Sequence, residues 1–311
     1  MVETIVRWQT HASGQPLEAA FFGGTFTALP LGVQQSLLQP LQPLLVTGVI
    51  SSVRISTRPD SIDADTIRRL KSMGVGTVEI GVQSMDDQIL ARSRRGHTAE
   101  ECTRAIRCIK AGGLTAGAQL MPGLPGDTAA ASYASLQSVI AAGADFLRIY
   151  PAVVLAGTEL ARMYAENCYV PLDLVSGIRI CKVLLHEAMT AGIPVIRIGL
   201  QADDGLNGDS ILAGCWHPSL GQLCRSELYY DLMSNLLQMT AAPAAVTVYC
   251  HPRRLSDVIG HGKANMKRLA ARGFCVTVQP DCGLAPDGIE LAGADGRIPG
   301  NLIDDLHYLI T

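Results

Sequence analysis

The stretch "EAAFFGGTFTALP", Glu18 to Pro30, reads as a β-strand that stops abruptly on two glycines. Ala19 to Phe22 supply the apolar strand, and Gly23 and Gly24 lack a Cβ, so the backbone there can come close to a ligand. Pro30 bars the strand from continuing. The same device recurs downstream. "RISTRPD" (Arg54–Asp60) leaves Ser56 and Arg58 at a strand end, and "IGVQS" (Ile80–Ser84) leaves Gln83 and Ser84. "AQLMPGLPG" (Ala118–Gly126) leaves Gln119, Met121 and Pro122, and "DFLRIYPAVV" (Asp145–Val154) leaves Tyr150 and Pro151.

Helical patterns separate these strands. They are "LGVQQSLLQPLQPLL" from Leu31, weakened by Pro40 and Pro43, then "DADTIRRLKSMG", "AEECTRAIRCIKAGG" and "AAASYASLQSVIAAG". Thr98 and Glu101 have the spacing of a capping box for the third, and Cys102, Ala105, Ile106 and Ile109 mark its buried stripe. "GTELARMYAEN" and "DLVSGIRICKVLLHEAMTAG" lead to a last strand, "IPVIRIGLQ". Strand and helix alternate to about residue 201, which predicts βα units on a parallel sheet. Each strand reads as an apolar run, the pattern of a sheet covered on both faces. No G-x-G-x-x-G follows the first strand, so a Rossmann dinucleotide site has little support. Polar residues at five consecutive strand ends favour a barrel, whose strand ends gather at one mouth.

Composition sets further bounds. The chain has 311 residues, 48% hydrophobic and 17% charged, with a net charge of −3. That is enough apolar material for a sizeable core. No run of about 18 apolar residues predicts a membrane span, and "MVETIVRWQTHASGQP" lacks the basic start and apolar run of a signal peptide. The expectation is a cytoplasmic protein with no membrane contact. Nine cysteines, an odd number with no C-x-x-C pair, predict free thiols rather than a disulfide framework.

"FFGGTFT", "RISTRPD", "IGVQS" with "RRGHT" downstream, "MPGLPGDT" and "RIYPAVVLAGTEL" together resemble the radical S-adenosylmethionine enzymes. The branch similar to the Elongator catalytic subunit is nearest, with oxygen-independent coproporphyrinogen oxidase further off. The resemblance implies a partial (β/α)6 barrel, with S-adenosylmethionine and a [4Fe-4S] cluster as cofactors. It also implies that Gly23, Gly24 and Thr25 hold the methionyl end of S-adenosylmethionine, with Ser56 and Arg58 at the next strand tip. Gln83 and Ser84 would face the ribose, Arg95 would be a further cofactor contact, and Gln119 would close the adenosine side.

One element of the family pattern is absent. Its cluster is held by C-x-x-x-C-x-x-C after the first barrel strand, whereas the first cysteine here is Cys102. The expectation is a barrel lacking its first strand, without the usual cluster and inactive as written. Three explanations stand: a longer natural form that is a full enzyme, which is favoured; a non-catalytic homologue binding RNA or a partner; and replacement by other cysteines. No metal site and no catalytic residue is assigned. The substrate and the reductant are not legible, and no acetyltransferase domain is recognisable.

Residues 245–311 read as a separate unit after a barrel of residues 1–201 and a connection of residues 202–244 containing the linker "MTAAPAA". "VIGHGKANMKRLAARGFCVTV" (Val258–Val278) resembles a KH RNA-binding element, in which a G-x-x-G loop between two helices clamps a nucleic-acid backbone. Lys263 stands where the second glycine belongs. Residues 251–273 hold six cations, Arg253, Arg254, Lys263, Lys267, Arg268 and Arg272, against Asp257, a net +5. Gly260, Gly262, Lys263 and Lys267 are the expected RNA contacts.

Overall fold

The computed structural model describes residues 4–5, 17–201, 210–239, 245–293 and 296–309. Most of the expected "MTAAPAA" linker, and part of the 202–244 connection, lie outside them. Contacts divide the chain into two units, residues 1–150 with 193–196, and residues 151–192 with 197–311. Residues 151–192 therefore group with the second unit rather than with the strands that precede them.

The first unit is a curled half-barrel of six strands in the order β1-β2-β3-β4-β5-β7. They are β1 Leu17–Phe21, β2 Ile50–Thr57, β3 Val75–Gln83, β4 Thr115–Leu120, β5 Phe146–Ile149 and β7 Val195–Ile198. Neighbours from β1 to β5 pair in parallel. Helix starts follow local chemistry. Asp63 accepts the Thr66 N–H at 2.7 Å to open helix Ala64–Ser72, and the Thr98–Glu101 capping box opens helix Ala99–Ala111. Cys102, Ala105, Ile106 and Ile109 are fully buried along that helix. The first expected helix is broken into Leu31–Leu38, a 3-10 turn at Gln39–Leu41, and Gln42–Val46. Pro40 and Pro43 fall in the first turns of the later pieces, where no N–H is missed.

The reading of the strands as apolar on both faces needs correction. The helix-facing side is apolar and buried: Val53 and Ile55 on β2, Val78, Ile80 and Val82 on β3, Ala116 and Ala118 on β4, Leu147 and Ile149 on β5. The inner side alternates with it at period two and is polar: Glu18, then Ser52, Arg54 and Ser56, then Thr77, Glu79 and Gln83, then Gln119, then Arg148. The sheet thus packs its helices on one face and presents hydrogen-bonding groups on the other.

The second unit holds an antiparallel ribbon of β6 Val153–Leu155 and β8 Ile211–Gly214, and a four-stranded sheet in the order β10-β9-β11-β12. The latter comprises β9 Ala245–Cys250, β10 Cys275–Pro280, β11 Gly288–Gly293 and β12 Gly296–Asn301. Strands β9 and β10 run parallel, joined through helices Leu255–Ile259 and Ala264–Ala271, the strand–helix–loop–helix–strand order expected. Helix Leu220–Gln238 supplies much of the core through Leu228, Tyr229, Leu232, Met233 and Leu236. Among the described residues no helix is long and apolar enough to cross a membrane.

Candidate cofactor and nucleic-acid sites

At the open end of the half-barrel, β1 gives way to Gly23 and Gly24, both exposed. Gly23 has φ +95°, a backbone that L side chains rarely adopt, and a Cβ on either glycine would meet nothing within 4 Å. The position is therefore both glycine-specific and open to a ligand. Thr25 follows, with its carbonyl accepting the Ala28 N–H at 3.1 Å.

Gln83 sits at the tip of β3 with φ +67°, strained for a non-glycine residue, where the β3–β4 register shifts. Its carbonyl accepts the Met121 N–H at 2.8 Å, and its Oε1 accepts from Gln119 Nε2 at 3.2 Å. Arg95 reaches the same strand end, with Nη2 3.0 Å from Met121 Sδ. Its Nε is buried with no hydrogen-bond partner. Burial, and then the nearby charge of Arg58, hold its pKa below the usual arginine range. A half-satisfied, desolvated guanidinium is a ready receptor for an anionic group.

Two expected contacts are committed elsewhere. Arg58 pairs both arms of its fork with Asp60 at 2.9 Å and donates to the Gly96 carbonyl at 3.0 Å. Ser84 is buried on the helix-facing side, where its Oγ accepts the Asp86 N–H at 3.1 Å and lies 3.4 Å from Ser135 Oγ. Ser56 lies on the inner face of β2, opposite Glu79. The structure thus gathers Gln83, Arg95 and Gln119, sets Gly23 to Thr25 at the tip of β1 with β2 between, and turns Ser84 away.

A charged ladder crosses the inner face below this mouth. Glu18 pairs with Arg54 at 2.6 Å, Arg54 with Glu79 at 2.6 Å, and Glu79 with Arg148 at 3.0 Å. Burial works against the Arg54 charge, but its two carboxylates outweigh this and raise its pKa. Gly117 on β4 makes the last contact possible: a Cβ there would lie 2.3 Å from Phe146 Cζ and 3.0 Å from Glu79 Cγ. Reading the strands as apolar runs missed this ladder. The period-two spacing of Thr77 and Glu79, and of Arg148 and Tyr150, was the signal that could have found it.

In the second unit the loop Gly260–Lys263 has a locked base and an open tip. A Cβ on Gly260 would lie 2.8 Å from the Asn265 backbone nitrogen. Asn265, itself buried, donates to the carbonyls of Ser226 and Val258 at 2.9 and 3.1 Å. At the tip Gly262 has φ +56° and Lys263 φ +62°. Lys263 therefore occupies the left-handed backbone that a glycine would favour. Replacing it with glycine is expected to stabilise the fold by about 0.5–1 kcal/mol in thermal or urea unfolding, because relief of strain exceeds the added unfolded-state freedom. A loss of stability would contradict the strain.

The basic cluster is divided. Arg254 pairs with Asp257, Arg268 pairs with Glu227 and stacks on Tyr230, and Arg272 donates to Ser234. Arg253, Lys263 and Lys267 are exposed and form no ion pair among the described residues. His217 meets His261 of the loop edge-on, ring centres 5.4 Å apart.

The implied iron–sulfur cluster does not fit these residues. Among the described residues no three His, Cys, Asp or Glu side chains are grouped to hold a metal. Cys102, Cys181, Cys215, Cys224 and Cys250 are buried. No step is assigned through that group.

The fold is a curled half-barrel with polar side chains at its strand ends, and comparison with known proteins gives its class. Residues 2–132 match the Radical SAM superfamily and residues 144–230 the Radical_SAM C-terminal domain. The chain belongs to the radical SAM superfamily. Within it, the chain is similar to the tRNA uridine(34) acetyltransferase of Methanocaldococcus jannaschii, 31% identical over 175 residues, 50% of this chain and 32% of that protein. It is 27% identical to human Elongator complex protein 3 over 183 residues, 51% of this chain and 33% of that one. The matched region thus spans about a third of these relatives. The solved structure of Methanocaldococcus infernus Elp3 with an N-terminal deletion shares the fold at a TM-score of 0.62 and 21% identity, over 93% of this chain and 68% of that one.

Proposed function

We propose that the first unit binds S-adenosylmethionine at the mouth of the half-barrel, and that the second binds single-stranded RNA through the loop at Gly260–Lys263. The observation that carries the cofactor reading is Arg95, a half-buried guanidinium with a buried, unpartnered Nε beside the Gln83–Gln119 pair. Gly23, Gly24 and Thr25 would take the methionyl amine and carboxylate through backbone groups, with Ser56 on the neighbouring strand. Gln83 and Gln119 would hold the ribose and adenine, and Arg95, beside that pair, would be a further hydrogen-bonding contact to the cofactor. Arg58 would act by holding the Gly96 turn next to Arg95, and Ser84 by holding the β3 tip. Bound S-adenosylmethionine would supply a sulfonium, an activated centre for group transfer or reductive cleavage.

The RNA reading draws on the exposed Lys263 and Lys267 and on relatives named for tRNA uridine(34). Lys263 would add a point charge, and helix Ala264–Ala271 its N-terminal N–H groups, to a phosphate. Together the two sites describe the cofactor- and RNA-holding part of an RNA-modifying protein. A non-catalytic binding role is the second reading, favoured by the misfit of the cysteines to the cluster.

Equilibrium binding tests the cofactor site. Arg95→Met is expected to weaken S-adenosylmethionine about tenfold, the loss of one charge-assisted hydrogen bond, with the fold intact. Unchanged affinity would remove Arg95, and with it the main support, from the site.

A further inference from the structure

We infer that Arg148 and Tyr150 form an oxyanion-binding site on the inner face of the half-barrel, one that takes a carboxylate or phosphate group of the substrate. The two ends of the charged ladder are unequal. At one end Glu18 is saturated: it accepts from Arg54, from Ser52 Oγ at 3.0 Å and from Thr77 Oγ1 at 2.9 Å. In the middle Glu79 is shared between two guanidiniums and is only 5% exposed. At the other end Arg148 keeps spare donors. Its Nε lies 3.0 Å from Glu79 Oε2, but the N–H is not aimed at that oxygen and makes no hydrogen bond. Its Nη1 donates to Tyr150 OH at 2.8 Å, which leaves the phenol proton to be donated elsewhere. Nη2 forms no hydrogen bond among the described residues.

Position and rigidity favour a ligand. The Phe22 ring lies 4.9 Å from the Arg148 guanidinium, so an aromatic face packs beside it at the tips of β1 and β5. Glu79 pins it from behind. Arg148 Nε is sealed from solvent and Nη1 is given to Tyr150, so Nη2 and the phenol proton are the donors left for the two oxygens of a carboxylate or phosphate. Arg148 pairs with Gln119 in the β4–β5 register, so a group bound here lies next to the proposed adenosine contacts. The ladder carries no net charge, two acids against two arginines, so an incoming anion meets no excess negative field.

The assignment of this ligand to a substrate rests on the cofactor reading above; the anion site itself does not. The test uses the full chain, labelled for arginine Nε–Hε spectra, titrated with sodium phosphate and separately with sodium acetate at constant ionic strength. S-adenosylmethionine affinity is measured in parallel. The Arg148 signal, identified by its loss in Arg148→Lys, is expected to shift saturably with one or both anions. Which anion wins separates a phosphate from a carboxylate ligand. Tyr150→Phe is expected to weaken that response about fivefold, one hydrogen bond, while S-adenosylmethionine affinity stays within about twofold. An Arg148 signal that does not move, or that moves only in step with exposed Arg68 and Arg107, or that is unaffected by Tyr150→Phe, overturns the site and leaves the cofactor reading standing. A saturable Arg148 response in a chain that binds no S-adenosylmethionine keeps the anion site and defeats the cofactor reading.

Discussion

Replacing Glu79 with alanine is expected to destabilise the chain by about 3–5 kcal/mol, the range found when one partner is removed from a buried ion pair. Glu79 is the shared partner of Arg54 and Arg148, whose side chains are 20% and 18% exposed. Without it Arg54 keeps Glu18, but Arg148 is left with a neutral phenol and an aromatic face. Glu79→Gln keeps the shape and one acceptor, so it should lose less. Urea unfolding of both variants measures this. A loss below about 1 kcal/mol for Glu79→Ala would mean that the ladder is solvated rather than buried.

Changing Lys263 and Lys267 together to alanine is expected to weaken single-stranded RNA binding about 25-fold at roughly 0.1 M salt. The slope of log affinity against log salt should fall by about 1.4, two phosphate contacts at about 0.7 each. Arg254, Arg268 and Arg272 are held by internal partners, so the same changes there should act mainly on stability. Titrations at several salt concentrations give both quantities. An unchanged slope, or no RNA binding by the parent chain at low salt, would contradict the loop as the contact.

Much of the fold was legible because local signals agreed with the tertiary arrangement. Gly23–Gly24, the Thr98–Glu101 box and the stripe through Cys102 and Ile106 each say the same thing at several levels, and each stands where expected. The strand–helix–loop–helix–strand order of residues 245–280 was legible for the same reason. What escaped reading depended on partners distant in sequence. Strands β6 and β8 are short and pair across more than fifty residues, so neither has a local signature. "DFLRIYPAVV" reads as one strand but is cut at Pro151 into β5 and β6, which join different sheets.

The site was only partly legible for a related reason. Strand-end position pointed to Gln83 and Gln119, and the family resemblance to Arg95; the fold brings the three together. The same logic could not tell that Ser84 points to the helix layer. One residue along a strand reverses the face, so Ser84 falls on the side opposite Gln83. Nor could it tell that Arg58 is satisfied by Asp60, two residues away. The ladder lay hidden because Val75–Gln83 counts as apolar on average, although every second residue is not.

The central claim, that the mouth of the half-barrel binds S-adenosylmethionine, is tested most directly by hydrogen–deuterium exchange of the full chain with and without saturating S-adenosylmethionine. Slowed exchange is predicted at the backbone of residues 22–25, 83–84, 95–96 and 119–121, with no change in the sheet of residues 275–301. Protection confined to other segments, or no protection at all, would contradict the account.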